Sequence, residues 1–230
     1  MNIRETGIDE QGRLRLVTVS AGLGQPSSTR LLADRLAIAT ERELTSARRE
    51  VVHETIELRG HAQELVSNLL TGFPPADLRH VVEATRAADG LIAVTPIFNA
   101  SYSGLFKLFF DVLERDSLAG LPVLIAATGG TRRHSLALDY AVRPLFAYLG
   151  AAVVPTAVFA AAEDWGAAPT DNAAGALVER IDRAAGELAG AILAGPRRRT
   201  RDPFADPVPF ADLVRGSRAE DGAGSDETAD

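Results

Sequence analysis

Residues 14–47 read LRLVTVSAGLGQPSSTRLLADRLAIATERELTSA, and this stretch decides the fold. Its first seven residues, Leu14 to Ser20, form an apolar, β-branched run that stops where Gly22, Gly24 and Pro26 punctuate the chain and serines collect. From Thr29 onward apolar residues recur at helical spacing, behind a serine or threonine placed to cap the start. The stretch is therefore a strand, a polar loop and a helix in succession.

The same unit repeats along the chain. REVVHETIEL at 49–58 alternates as a second strand, and helices are expected at 61–70 and 75–88, separated by the break at Pro74 and Pro75. GLIAVT at 90–95 is a third strand, followed by a helix at about 104–114. PVLIAAT at 122–128 is a fourth, followed by a helix at 135–149. AAVVPTAVF at 151–159 is a fifth, and an Ala-rich helix closes the pattern at 172–194. Strands that alternate with helices in this way require long right-handed crossovers, hence an α/β fold with an open parallel five-stranded sheet and helices on both faces. The continuous apolar character of strands three and four agrees, because both faces of such a sheet are covered. Ligands of doubly wound sheets sit beyond the carboxyl ends of the strands, where strand order reverses, so the loops after Ser20, Thr95 and Thr128 matter most.

Composition bounds the function. With 46% apolar and 24% charged residues the chain is an ordinary globular protein, and a net charge of -7 argues against general nucleic-acid affinity. There is no cysteine, which excludes a disulfide framework, a thiolate metal site and a cysteine nucleophile. No apolar run reaches the roughly 18 residues of a membrane span, and the first twelve residues are polar, so a cytoplasmic location is expected. The expected boundaries are an N-terminal extension at 1–13, one domain at 14–194 and a disordered tail at 195–230, where four prolines interrupt a polar stretch.

The first loop, SAGLGQPSSTR, has neither the lysine of a phosphate-binding P-loop nor the spacing of a GxGxxG dinucleotide fingerprint. It offers Ser20, Ser27, Ser28 and Thr29 as hydroxyl donors beside the free amides of a helix start, a combination that suits a phosphate monoester. The competing reading makes Ser28 or Thr29 a helix cap and nothing more.

The second loop reads TPIFNASYSGLFKLFFD from Thr95 to Asp111. It resembles the TPxYxxxYSGxxKxxxD pattern of NAD(P)H-dependent FMN reductases, in particular the branch that serves alkanesulfonate monooxygenases. A second similar block, ATGGTRRHSLALDYAVRPLFAYLGA, runs from Ala127 to Ala151, and a third, VFA, ends the fifth strand. The resemblance covers about residues 14 to 194. It implies a flavodoxin-like fold, FMN and NADPH or NADH as cofactors, and transfer of reduced flavin to a separate flavin-dependent monooxygenase. It also implies that Ser20, Ser27, Ser28 and Thr29 hold the FMN phosphate and that Pro96, Phe98, Asn99 and Ser101 line the ring and ribityl chain. Thr128, Gly129 and Gly130 would border the ring from the other side. Phe98 stands where such reductases commonly carry tyrosine, and the stretch Leu23 to Gln25 departs from related loops. Two other classes share the fold: a flavodoxin-type electron carrier, whose TxTGxT-like loop is absent here, and a quinone or azo-dye reductase that keeps its FMN.

No catalytic acid is assigned, since hydride transfer to a flavin needs orientation and ring electronics rather than a protein nucleophile. Arg132, Arg133 and His134 lie beside the third loop, as contacts for an anionic dinucleotide or as plain surface charge. His53, His61 and His80 have no metal-ligand spacing. Asp139 and Arg143 are spaced as a helix pair, and Trp165 is expected to pack a loop. The helix from Leu105 to Leu113 is apolar nearly all round, which predicts burial on two sides. A second subunit, in a homodimer or homotetramer, is the expected cover for the side away from the sheet.

Overall fold

The computed structural model describes residues 12–114, 116–166 and 172–195. The expectations for the N-terminal extension and the tail fall almost wholly outside these residues. The sheet contains β1 (Leu14–Ser20), β2 (Val51–Glu57), β3 (Gly90–Phe98), β4 (Ser101–Tyr102), β5 (Pro122–Gly129), β6 (Ala152–Val153) and β7 (Val158–Ala161). The α-helices are α1 (Ser28–Ser46), α2 (Ala62–Thr71), α3 (Ala76–Arg86), α4 (Gly104–Asp111), α5 (Arg143–Tyr148), α6 (Glu163–Gly166) and α7 (Asn172–Ala194).

Strand order is β2-β1-β3-β5-β6, with β7 also on β5. All of these pairs are parallel, and only the short β4 runs antiparallel, folded back on β3. This is the flavodoxin-like order, and its direction reverses between β1 and β3. Period-two alternation sorts the strand residues into two cores. Val17, Val19, Leu91, Ala93, Val123 and Ile125 face a layer that includes Phe106, Phe109, Phe110 and Phe146. Leu14, Leu16, Ile92, Val94, Leu124 and Ala126 face residues of α1 and α7. In the first layer Phe110 meets Phe106 in a tilted arrangement and Phe146 edge-to-face, with ring centroids 4.8 Å apart in both pairs, non-sandwich geometries that aromatic quadrupoles favour.

Two expectations need correction. The single fifth strand is two: three steps along β5, from Val123 to Ala126, match five steps on its partner, from Val153 to Val158. The surplus bulges at Pro155, which has no N–H to give a ladder. With the β4 hairpin this makes seven strands rather than five. The helix expected at 135–149 is irregular, with a π-helical turn at Leu138–Val142 ahead of α5. There Arg143 N donates to Leu138 O, five residues back, and Pro144 immediately after it cannot donate a regular i to i−4 bond. The apolar girth of α4 is met in part within the chain. Phe106, Phe109 and Phe110 are fully buried, while Leu105, Leu108 and Val112 are half-buried against the same core, with α2 and the turn Leu58–His61 covering the helix from the same chain.

The β6–β7 edge is occupied by side chains. Arg143 donates to the carbonyls of Val154 (3.1 Å) and Pro155 (3.0 Å), and Arg180 to that of Phe159 (3.5 Å). Glu187 accepts from both the amide and the hydroxyl of Thr156, at 2.7 Å each, and Asp164 accepts from Ala161 N at 2.8 Å.

Candidate functional site

The β1–α1 loop leaves the sheet at the strand-order reversal, where Ala21 N donates to Val94 O at 2.9 Å and so ties the loop to β3. A Cβ on Gly22 would run into the Ser27 hydroxyl and crowd Thr29, so glycine lets the loop fold closely onto the start of α1. Ser27 is the N-cap of α1, accepting from Arg30 N at 3.2 Å. Capping therefore falls to Ser27 and not to Ser28 or Thr29; Ser28 is exposed in the first helical turn. Thr29 is buried and shares a 2.8 Å hydrogen bond with Thr128, binding the first loop to the third. One hydroxyl proton of that pair stays free to donate elsewhere. The first turn of α1 carries no acidic residue that would repel an anion. Ser20 is the decisive member: it is 1% exposed, and among the described residues its hydroxyl has no hydrogen-bond partner. A buried hydroxyl that has no partner among the described residues, at the end of the strand that leads through this loop to the start of α1, fits a phosphate group that supplies the missing acceptor.

The second loop is closed from within. Thr95 Oγ1 accepts from Ser103 N at 3.0 Å and donates to Pro96 O at 2.9 Å, while Ser103 caps α4 through Phe106 N. Asn99 and Ala100 make the turn between β3 and β4 with φ of 49° and 67°. Pro96 is buried, Ser101 half-buried, and Phe98 and Asn99 stand exposed at the rim. The third loop runs from buried Thr128 through Gly129 to exposed Gly130. A Cβ on Gly129 would come within 2.8 Å of the Phe159 ring, so glycine lets the backbone pack closely on that ring. Parallel register places Ser20 beside Val94 and Pro96 beside Thr128, which brings all three predicted loops to one end of three adjacent strands. A flat ring between the β3 and β5 loops, with its phosphate on the β1–α1 loop, suits these surfaces.

The family description of the NADPH-dependent FMN reductases matches residues 14–166, a span that contains all three loops. The chain belongs to this family. It is an oxidoreductase that reduces FMN with a nicotinamide dinucleotide. The reductase is similar to an FMN reductase (NADPH) of Pseudomonas aeruginosa, 37% identical over 151 residues, which cover 66% of this chain and 78% of that one. It is also similar to the NADH-dependent FMN reductase SfnF of Pseudomonas putida, 37% identical over 150 residues, covering 65% and 78%. Among solved structures, an oxidoreductase from Corynebacterium diphtheriae superposes with a TM-score of 0.76 at 44% identity, over 80% of this chain and 99% of the other.

Charge around the reductase's site is arranged in pairs. Arg132 is engaged by Glu163 (2.8 Å) and by the buried carboxylate of Asp164 (2.6 Å), whose hydrogen bond raises the guanidinium above its ordinary pKa. Arg133 and His134 are exposed on the same turn. The lone lysine, Lys107, is held by Asp111 at 2.5 Å, and this hydrogen bond raises its pKa. His53 bridges Glu41 and Thr18, His61 meets Glu64 and His80 meets Glu54, so the histidines are spread through separate ion pairs. Among the described residues no group of acids and histidines could hold a metal, and no helix is long and apolar enough to cross a membrane. Trp165 packs on the α1–α7 core with Arg35 5.0 Å from its ring. Arg59 escaped the sequence reading. It reaches the β1–α1 loop from the turn after β2, donating to Gly24 O at 3.4 Å. With the Gln25 amide oriented to satisfy both groups, its oxygen accepts from Arg59 Nη1 at 2.9 Å.

Proposed function

We propose that this FMN reductase releases its reduced flavin to a separate flavin-dependent monooxygenase, in the cytoplasm, and that FMN is as much its substrate as its cofactor. The observation that carries the reading is the phosphate loop: its donors are the hydroxyls of Ser20, Ser27, Ser28 and Thr29 and the helix-start amides, with no lysine or arginine among residues 20–29. Such a cradle recognises the phosphate while holding it less firmly than a loop with its own fixed cations.

When bound, FMN supplies the hydride acceptor. Pro96, Phe98, Asn99 and Ser101 then orient the ring and ribityl chain from one side, and Thr128, Gly129 and Gly130 from the other. Small residues on that second side let backbone amides approach the ring. Arg133 and His134, exposed beside the third loop, would meet the anionic dinucleotide that donates the hydride. The chain works as a homo-oligomer, a dimer or a tetramer. A groove of about 660 Å³ supports this, lying between α4 and the π-turn and carrying Tyr140 and Tyr148 exposed at 80% and 79%.

The deciding experiment compares flavin retention with flavin turnover. Purified protein is expected to lose yellow colour on gel filtration and to oxidise NADPH or NADH in proportion to added FMN. Colour that stays with the protein while turnover requires a quinone would instead identify a bound-flavin quinone or azo-dye reductase. Retained colour without dehydrogenase activity would identify an electron carrier.

A further inference from the structure

The β1–α1 loop lacks a cation of its own, yet a guanidinium is in place against it. Arg59 extends from the turn that follows β2, and its terminal nitrogens meet two neutral acceptors, the Gly24 carbonyl and the Gln25 amide oxygen. Its nearest carboxylate, Glu57, is a weak competitor: Glu57 Oε1 lies 2.7 Å from Arg30, whereas Oε2 lies 3.6 Å from Arg59 Nε. Arg30 is itself committed, bonded to Asp34 at 2.7 Å as well as to Glu57, and these carboxylates raise its pKa, Asp34 foremost. Of the two guanidiniums at this loop, Arg59 is therefore the one whose bonds are to neutral groups and can be exchanged. The loop it touches holds the buried Ser20 hydroxyl that has no partner among the described residues.

We propose that Arg59 is the cation that recognises the FMN phosphate, exchanging its bonds to Gly24 and Gln25 for phosphate oxygens when FMN arrives. This deepens the proposed function and rests on it. A guanidinium gains more from a phosphate than from neutral carbonyl oxygens, because the charge-assisted bond is the stronger. The bonds it gives up offset part of that gain. Discrimination between FMN and riboflavin is thereby obtained without tight retention, as release of the reduced flavin requires.

The test is titration of the full-length, flavin-free protein with FMN and with riboflavin, followed by quenching of flavin fluorescence, for wild type, Arg59→Met, Arg59→Lys and Ser20→Ala. Arg59→Met is expected to weaken FMN about tenfold, a charged bond lost less the neutral bonds it replaced, and to leave riboflavin within about twofold. Arg59→Lys restores part of the difference. Added NaCl weakens FMN binding to wild type more steeply than to Arg59→Met, since the variant has lost a screened ionic contact. An unchanged FMN-to-riboflavin ratio in a folded Arg59→Met protein overturns the assignment. So does an equal loss of both flavins with a lowered Tm, which marks Arg59 as a brace for the loop. A raised KM for NADPH with unaltered FMN affinity overturns it in favour of the dinucleotide. If Ser20→Ala lowers the ratio while Arg59→Met does not, the phosphate site stands and only the role of Arg59 falls. If wild type shows no preference for FMN over riboflavin, both readings fall together.

Discussion

Replacing Ser20 with alanine is expected to push stability and binding in opposite directions. In the flavin-free protein the Ser20 hydroxyl is 1% exposed and without a partner among the described residues, a state that costs about 1 to 3 kcal/mol for a buried polar group. Ser20→Ala removes that cost and leaves almost no cavity, so the flavin-free variant is expected to melt higher, by about 2 to 4 °C for each kcal/mol in a chain of this size. In the FMN complex the same hydroxyl donates to a charged phosphate, and its loss is worth about 1.5 to 3 kcal/mol. That corresponds to about 10-fold to 150-fold in the FMN concentration required. Turnover at saturating FMN stays close to wild type, because the phosphate is remote from the hydride path. Riboflavin is the control and is expected to change little. The assay pairs a thermal melt of flavin-free protein with initial rates over a range of FMN and riboflavin. A lower melting temperature together with an unchanged FMN-to-riboflavin ratio would refute the reasoning, since the hydroxyl would then be bonded within the fold and remote from the phosphate.

Gly129→Ala places a methyl group within 2.8 Å of the Phe159 ring, and overpacking of this kind is expected to cost about 1 to 3 kcal/mol in a chemical-denaturation midpoint and to weaken FMN and riboflavin alike. Ser28→Ala, at an exposed position that does not cap α1, should leave the melting temperature unchanged while lowering the FMN-to-riboflavin ratio. Deletion of residues 200–230 is expected to leave FMN reduction intact, as read from initial rates, because every matched loop precedes that segment. Light scattering at low protein concentration should return a multiple of 24.3 kDa, and a monomer mass would remove the proposed oligomer.

The sequence announces whatever depends on neighbours along the chain. The β-branched run to Ser20, the Gly and Pro punctuation and the helical spacing after Thr29 are local signals, and the structure returns them as β1, the loop and α1 with ends shifted by a residue or so. The choice of Ser27 over Ser28 or Thr29 as cap was hidden, because three adjacent hydroxyl residues offer the same chemistry and only backbone direction separates them. Interruption of the 135–149 helix was signalled weakly by Pro144, whose missing N–H leaves open whether the chain breaks or widens into a π-turn. Contacts between distant segments were not legible at all. Thr29 meets Thr128 across 99 positions, and Arg59 meets Gly24 across 35; nothing in LRGH distinguishes that arginine from any other. The orphaned state of Ser20 is likewise a property of the assembled sheet. The cover that α2 and the turn at 58–61 give to one side of α4 was hidden for a related reason, since the sequence shows that a helix is apolar all round without showing which segment lies on it.

The side chains along the β6–β7 margin also govern how this protein meets its own kind. A bare outer strand is a template onto which a foreign strand can zip, repeating the ladder into the next molecule. Here five main-chain groups along this margin, the carbonyls of Val154, Pro155 and Phe159 and the amides of Thr156 and Ala161, already hold charged side chains. An incoming strand would have to strip Arg143, Arg180, Glu187 and Asp164 from their partners before making a single bond of its own. Growth of the sheet into an intermolecular fibre is opposed on this flank, and β2 is left as the sheet's other outer strand.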